Sequence, residues 1–250
     1  MVGASAGGGG RMSIHLVGGG WADDYAGDVY REFLLEATAR GLASGRTTPR
    51  IAVLLVREEG ADASADSWRD QLTRVGDCEP VVTEILEGAL FASSALTGID
   101  ALLVGGGHTP SYLNAVTPLI DEIRLLVADE LPYLGFSAGS MIAADAAIIG
   151  GWRIGEIPVC SDDAGEDLDQ VTVAEGLGLV DLAIDVHAVP WGTLSRLIAA
   201  TEAGLVDGGI AIDEFTALVV GGDEIRVLGR GSVWQVAPAE DGVTVSTLGA

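Results

Sequence analysis

The residues of this chain best placed to do chemistry are Gly135-Phe136-Ser137-Ala138-Gly139, set between Tyr133-Leu134 and the small-residue and apolar stretch Ser140-Met141-Ile142-Ala143-Ala144. A serine with a glycine two residues to either side fits a strand that turns sharply into a helix with the hydroxyl at the apex, a nucleophile elbow, because glycine permits the close strand-helix approach. Unpaired N–H groups at the start of that helix would favour an oxyanion beside Ser137. A serine hydroxyl is a weak nucleophile until a base takes its proton, and the chain holds 3 histidines. His15 alternates within an apolar strand, as a core residue does. His108 lies in the glycine turn Gly105-Gly106-Gly107, where it can touch a substrate. His187 ends the run Leu182-Ala183-Ile184-Asp185-Val186, so its ring can reach a site above a sheet, and it is the preferred base. The orienting acid is Asp185, on the same face two residues earlier, or Glu214, at the end of Gly208-Gly209-Ile210-Ala211-Ile212-Asp213; Asp213 is expected to point away.

These residues must be held by strands and helices, and the pattern of both is readable. Ser13 to Val17, Ile51 to Val56, Pro80 to Leu86, Ala101 to Val104 and Tyr133 to Phe136 read as strands, the second without a polar face, as in a buried parallel sheet. Helical spacing runs from about Asp23 to Leu42, from Ala65 to Val75, through Leu113 to about Glu130, from Ser137 onward, and from Thr193 to Ala203. Strands that alternate with helices predict a right-handed, doubly wound α/β fold, with ligands at the carboxyl ends of the strands. The stretch from Trp152 to Glu175 is acidic and weakly periodic, a surface excursion beside the site. The tail, with strands near 225–228, 233–236 and 243–248, predicts a small antiparallel β extension capping the sheet edge. Gly18-Gly19-Gly20 after the first strand resembles part of a dinucleotide turn, but Asp23 stands where its third glycine belongs, so no such cofactor site is expected. Residues 1–11, rich in Gly, Ala and Ser, read as a flexible leader without the regions of a secretory signal, followed by one α/β domain over 12–250.

Composition excludes several classes. With 37 acidic residues against 13 basic ones the net charge is -24, which repels nucleic acid and anionic membrane surfaces alike, though it names no substrate. Every basic residue is arginine, which rules out a Schiff-base or phosphate-loop lysine. Apolar residues make up 48%, yet no run approaches the roughly 18 residues of a membrane span. Cys78 and Cys160 lie far apart with no paired spacing, so neither a disulfide nor a zinc site is expected, and a cytoplasmic setting follows.

Chain order narrows the chemistry further. An α/β-hydrolase presents Ser, acid, His, whereas this chain presents Ser137, His187, Glu214. A glutamine amidotransferase carries Cys at the elbow and commonly His-x-Glu; here Ser137 stands at the elbow and Val189 two places after His187. Gly105-Gly106-Gly107-His108-Thr109, Gly135-Phe136-Ser137-Ala138-Gly139-Ser140, Gly176-Leu177-Gly178-Leu179 with Asp185-Val186-His187, and Asp213-Glu214-Phe215-Thr216-Ala217-Leu218 together resemble, in order, the peptidase E and cyanophycinase family of serine peptidases, family S51. The resemblance covers most of the chain, from about Ser13 to Val236.

That resemblance implies a flavodoxin-like, class I glutamine amidotransferase-like fold and a metal-free, cofactor-free enzyme that cleaves aspartyl or β-aspartyl bonds in short peptides. It implies Ser137 as nucleophile, His187 as general base and then acid, Glu214 as the acid that orients it, and the Gly106 and Ala138 amides as the oxyanion hole. Gly107, His108, Thr109, Asp185, Trp191 and Arg196 are the expected substrate contacts, and a homodimer is implied at family level. One stretch departs from the pattern. Where the family places several arginines after the histidine, this chain reads His187-Ala188-Val189-Pro190-Trp191-Gly192-Thr193-Leu194-Ser195-Arg196, and only Arg196 keeps that pattern. A guanidinium is the natural clamp for a substrate carboxylate. Trp191 offers an apolar subsite in its place. A catalytically silent ligand-binding relative and a hydrolase of non-peptide amides or esters are the alternative readings.

Overall fold

A strand with no polar face survives only when both sides are covered. In the computed structural model, which describes residues 13–21, 26–61, 64–221 and 224–249, Ile51, Ala52, Val53, Leu54 and Leu55 are all buried. They lie at the centre of a strand-helix succession: β1 (Ile14–Val17), α1 (Ala26–Ala43), β2 (Arg50–Arg57), α2 (Ala65–Val75), β3 (Glu79–Leu86), β4 (Ala101–Val104), α3 (Thr109–Val116), α4 (Ile120–Ala128) and β5 (Tyr133–Phe136). These five strands pair in parallel in the order β1-β5-β4-β2-β3. Alternation along β2 divides the core. Ile51, Val53 and Leu55 pack with Phe33 and Leu34 of α1 and Trp68 and Leu72 of α2. Ala52 and Leu54 pack on the other side with Tyr112 and Val116 of α3 and Ile123 of α4.

The chain continues through α5 (Ala138–Met141), β6 (Ala146–Gly150), β7 (Arg153–Ile154), β8 (Ile157–Pro158), β9 (Thr172–Glu175), β10 (Ala183–Val186), α6 (Thr193–Glu202), β11 (Gly209–Ile212), β12 (Thr216–Gly221), β13 (Glu224–Gly229), β14 (Val233–Ala239) and β15 (Gly242–Leu248). β12 joins β1 antiparallel and β13 joins β12, giving a mostly parallel sheet of seven strands. β10, β11, β14 and β15 form a second sheet, with β10 and β11 parallel and the others antiparallel. Its Ile184, Val186, Ile210 and Ile212 belong to the same apolar cluster as Ala52 and Leu54.

Three expectations are corrected here. The helix expected through Leu113 to Glu130 is two helices, because Pro118 has no N–H and crowds the preceding turn, leaving a 3₁₀ turn over Thr117–Leu119. The helix after Ser137 is a single turn. The amides of Leu177 and Leu179 capture the carbonyls of Ile142 and Ala143, and the chain leaves helical geometry for β6. The tail strands are antiparallel as expected but do not form one edge cap, since β13 extends the large sheet while β14 and β15 extend the small one. The expected leader at 1–11 and the helix start at Asp23 lie outside the described residues.

Phe33 is fully buried between α1 and the sheet, edge-on to the His15 ring at 5.7 Å. Phe33→Ala is expected to lower stability by about 3–5 kcal/mol in urea unfolding. A loss under about 1 kcal/mol would mean that this face of the core is not packed as described.

Candidate active site

Strand register brings the chemistry together. Val17 pairs with Phe136, Val104 with Gly135 and Val17 with Ala217, so the turns after β1, β4 and β5 and the entry to β12 emerge at one end of the sheet. In the second sheet Val186 pairs with Ile212, which sets His187 level with Asp213 and one residue from Glu214. The two sheets are joined at this end. His187 N–H donates to the Gly18 carbonyl at 3.0 Å, and Phe215 N–H, in the connection from β11 to β12, donates to the Gly19 carbonyl at 2.9 Å and continues the β1–β12 pairing.

Ser137 sits between β5 and α5 with φ 51° and ψ -110°, a conformation that costs a non-glycine residue on the order of 1–3 kcal/mol. It is held by neighbours that leave little choice. Its N–H donates to the Val17 carbonyl at 2.9 Å, and its carbonyl accepts from the amides of Ser140 and Met141 at 2.8 and 3.1 Å. The buried Tyr133 hydroxyl donates to the Gly139 carbonyl at 2.7 Å, fixing the far side of the turn. The Ser137 hydroxyl then lies 2.8 Å from His187 Nε2.

His187 also has a positive φ, 54°, which turns its ring out of the β10 pleat. The ring lies against Gly19, whose φ is 104°; a Cβ at Gly19 would stand 2.1 Å from the imidazole Cε1. On its other side Trp191 stacks nearly parallel, centroid to centroid 3.9 Å at 12°. His187 Nδ1 is 2.7 Å from Glu214 Oε1. A carboxylate facing Nδ1 assigns the proton to that nitrogen and leaves Nε2 free to accept from Ser137. Burial pushes the His187 pKa below its ordinary value, although Glu214 pulls it upward. Glu214 is itself fixed through Asp213, whose carboxylate accepts from the Glu214 and Val189 amides at 3.0 and 3.3 Å.

Beside Ser137, a Cβ at Gly106 would stand 2.8 Å from the Ser137 Cβ, so the Gly106 backbone passes directly over this serine. Among the described residues the N–H groups of Gly106 and Ala138 have no hydrogen-bond acceptor. These free donors flank a cleft of about 600 Å³ lined by Gly106, Gly107, His108, Phe136, Ser137, His187 and Trp191, together with acidic residues from outside the sheet. His108 Nδ1 lies 2.7 Å from the Ser111 hydroxyl and its Nε2 3.0 Å from the Glu166 carbonyl.

Three expected substrate contacts are corrected, because they do not line this cleft. Thr109 is fully buried, and its N–H and hydroxyl donate to the Glu166 carboxylate at 3.0 and 3.1 Å. Asp185 and Arg196, 0% and 2% exposed, form a two-point ion pair at 2.8 and 2.6 Å beneath the site. Burial works against the Arg196 charge, but the Asp185 carboxylate overrides it and raises the pKa. Arg196 also donates to the Gly151 and Ala164 carbonyls at 3.2 and 2.7 Å, so it braces the 150–167 excursion from behind. One contributor was missed in the sequence, the Gly18-Gly19 seat of the imidazole; the acidic strap at 162–167 falls within the excursion expected beside the site at Trp152 to Glu175, but its fixed shape was not foreseen. The glycine run at the end of the first strand was a signal for the seat.

The profile of peptidase family S51 matches residues 82–228, more than half of the chain. The chain belongs to peptidase family S51. The fold resembles the crystal structure of a peptidase from an acI-B1 Actinobacterium, with a TM-score of 0.62 and 21% identity over 97% of this chain and 96% of that one. It also resembles a putative peptidase E protein from Listeria monocytogenes EGD-e, with a TM-score of 0.55 and 16% identity over 88% and 99% of the two chains. No curated protein sequence matches it significantly. Among the described residues no helix is long and apolar enough to cross a membrane.

Gly19→Ala is expected to displace the imidazole and slow labelling of Ser137 by a serine-directed fluorophosphonate about 10²-fold, with circular dichroism unchanged. Labelling at the wild-type rate would mean that Gly19 does not seat the ring. Asp185→Asn, by contrast, is expected to lower stability by about 3–5 kcal/mol in denaturant unfolding, since it leaves Arg196 buried without its counter-charge; unchanged stability would contradict that role.

Proposed function

We propose that this member of family S51 is a serine peptidase acting on short peptides through a Ser137-His187-Glu214 triad and an acyl-enzyme. The observation that carries this reading is the continuous relay from the Ser137 hydroxyl to His187 Nε2 at 2.8 Å and from Nδ1 to Glu214 at 2.7 Å. As Ser137 Oγ bonds to the scissile carbonyl carbon, its proton passes to His187 Nε2. The carbonyl oxygen takes the negative charge and is met by the Gly106 and Ala138 N–H groups. The imidazolium then gives its proton to the amide nitrogen as the C–N bond breaks and the amine leaves. Water, deprotonated by the same imidazole, attacks the ester; the new acid departs and Ser137 regains its proton. Glu214 holds the tautomer and steadies the imidazolium.

The resemblance to enzymes that cleave aspartyl and β-aspartyl bonds makes Asp-X and β-Asp-X dipeptides the first substrates to assay. A 600 Å³ cleft suits peptides of a few residues, consistent with a dipeptidase or another exopeptidase. Two free cysteines, Cys78 and Cys160, fit a reducing compartment such as the cytoplasm.

Turnover of such a panel is expected to vanish in Ser137→Ala. Glu214→Gln, with folding intact, should lower kcat on the order of 10²–10⁴-fold; a fall under threefold would remove Glu214 from the triad. Because burial keeps His187 neutral to lower pH, the acid limb of kcat/KM should lie below 6.5. An acid limb above that value would contradict a base with a depressed pKa.

A further inference from the structure

The wall of the cleft opposite the triad is acidic. Glu58 from the end of β2 and Asp162, Asp163, Glu166 and Asp167 from the strap line the same cavity as Ser137 and His187, and among the described residues its lining includes no arginine. What makes this a binding site is the nucleophile and the free N–H donors that open onto it; the carboxylates determine which charge it accepts. The strap is held in place. Its Glu166 carboxylate is bound by Thr109 at the start of α3, its Glu166 carbonyl by His108, its Ala164 carbonyl by the buried Arg196, and its Gly165 carbonyl by the Gly151 N–H at 2.8 Å. Glu166 and Asp167 are fixed at φ 54° and 58° within it. Among the described residues Glu58, Asp162 and Asp163 are exposed and have no cationic partner, and Asp167 has only His108 at 3.8 Å.

We infer that the preferred substrates are cationic peptides, carrying a guanidinium or ammonium group close to the scissile bond, and that the cleft disfavours peptides with a free side-chain carboxylate at that place. The inference rests on the peptidase reading of Ser137 and departs from the aspartyl specificity that the family resemblance suggests, ranking cationic peptides above Asp-X substrates. A cleft walled on one side by protein concentrates the field of its carboxylates, so a cation is drawn in and an anion repelled more strongly than on open surface. An acidic substrate side chain would need a guanidinium clamp. The one arginine on the relevant helix, Arg196, is already committed to Asp185 and two backbone carbonyls.

The test is a matched panel of short peptides in which one residue beside the scissile bond, on either side of it in turn, is Arg, Gln or Glu. At low salt kcat/KM is expected to fall in that order by roughly tenfold per step, mainly through KM. The spread should shrink at about 0.5 M salt, where exposed charges are screened. It should also shrink in the double variant Asp162→Asn/Asp163→Asn, whereas Glu240→Gln/Asp241→Asn, in the exposed turn between β14 and β15, should preserve it. A flat or reversed order, or an order that depends equally on the remote pair, would overturn the inference while leaving the peptidase reading intact. If no peptide is turned over, the peptidase reading fails. Equilibrium binding of the same panel to Ser137→Ala then decides the charge preference, Arg binding tightest if the inference holds and no tighter than Gln if it does not.

Discussion

The site depends on a backbone joint of two hydrogen bonds. The carbonyls of Gly18 and Gly19, just past the first strand of the large sheet, accept from the amides of His187, just past β10 of the small sheet, and Phe215, in the connection that leads from β11 of the small sheet into β12 of the large one. The joint fixes the distance between the Ser137 hydroxyl carried by one sheet and the His187 imidazole carried by the other. It also explains why glycine is required at position 19, since any side chain there would occupy the space of the imidazole. Ser137 itself donates its N–H to Val17, the residue before this turn, so Ser137 and His187 are both referenced to the end of β1.

Strain and burial gather around that joint. Ser137, His187 and Phe215 all have positive φ, each at a cost on the order of 1–3 kcal/mol that the surrounding sheets must offset. The strain has a geometric use. At Ser137 and His187 it turns the hydroxyl and the imidazole away from the line of their strands and toward one another. Burial of His187 between Gly19 and Trp191 keeps the ring neutral, while Glu214 prevents its basicity from falling too far. Beneath this layer the Asp185–Arg196 pair serves the protein, not the substrate, and carries the strap that walls the cleft.

Much of this was legible in the sequence, for identifiable reasons. Ser137, His187 and Glu214 each follow an apolar run whose length gives away a strand, and residues at strand ends in such a fold gather at one edge. Asp185 was misplaced because strand periodicity puts it on the face of His187, but the positive φ of His187 swings that side chain away and leaves Asp185 pointing into the core. Arg196 was misplaced because its charge outweighed its position; it lies on the buried stripe of α6 with Thr193, Leu197 and Ala200. The strap's place beside the site was legible from its acidity, but not its shape, which comes from bonds to Thr109, His108 and Arg196, all distant in sequence, and no periodicity records such contacts. The split of the tail between two sheets was equally invisible, since local alternation predicts a strand and not its partner.

The central claim is that Ser137 becomes covalently acylated during turnover. The most direct measurement is acid quenching of the enzyme within the first turnovers of an activated peptide ester, followed by mass mapping of the modified residue. The account predicts an acyl group on Ser137 in the wild-type chain, and none in Ser137→Ala. An acyl group on another residue, or product formed with no acylated protein from a burst-competent substrate, would contradict it.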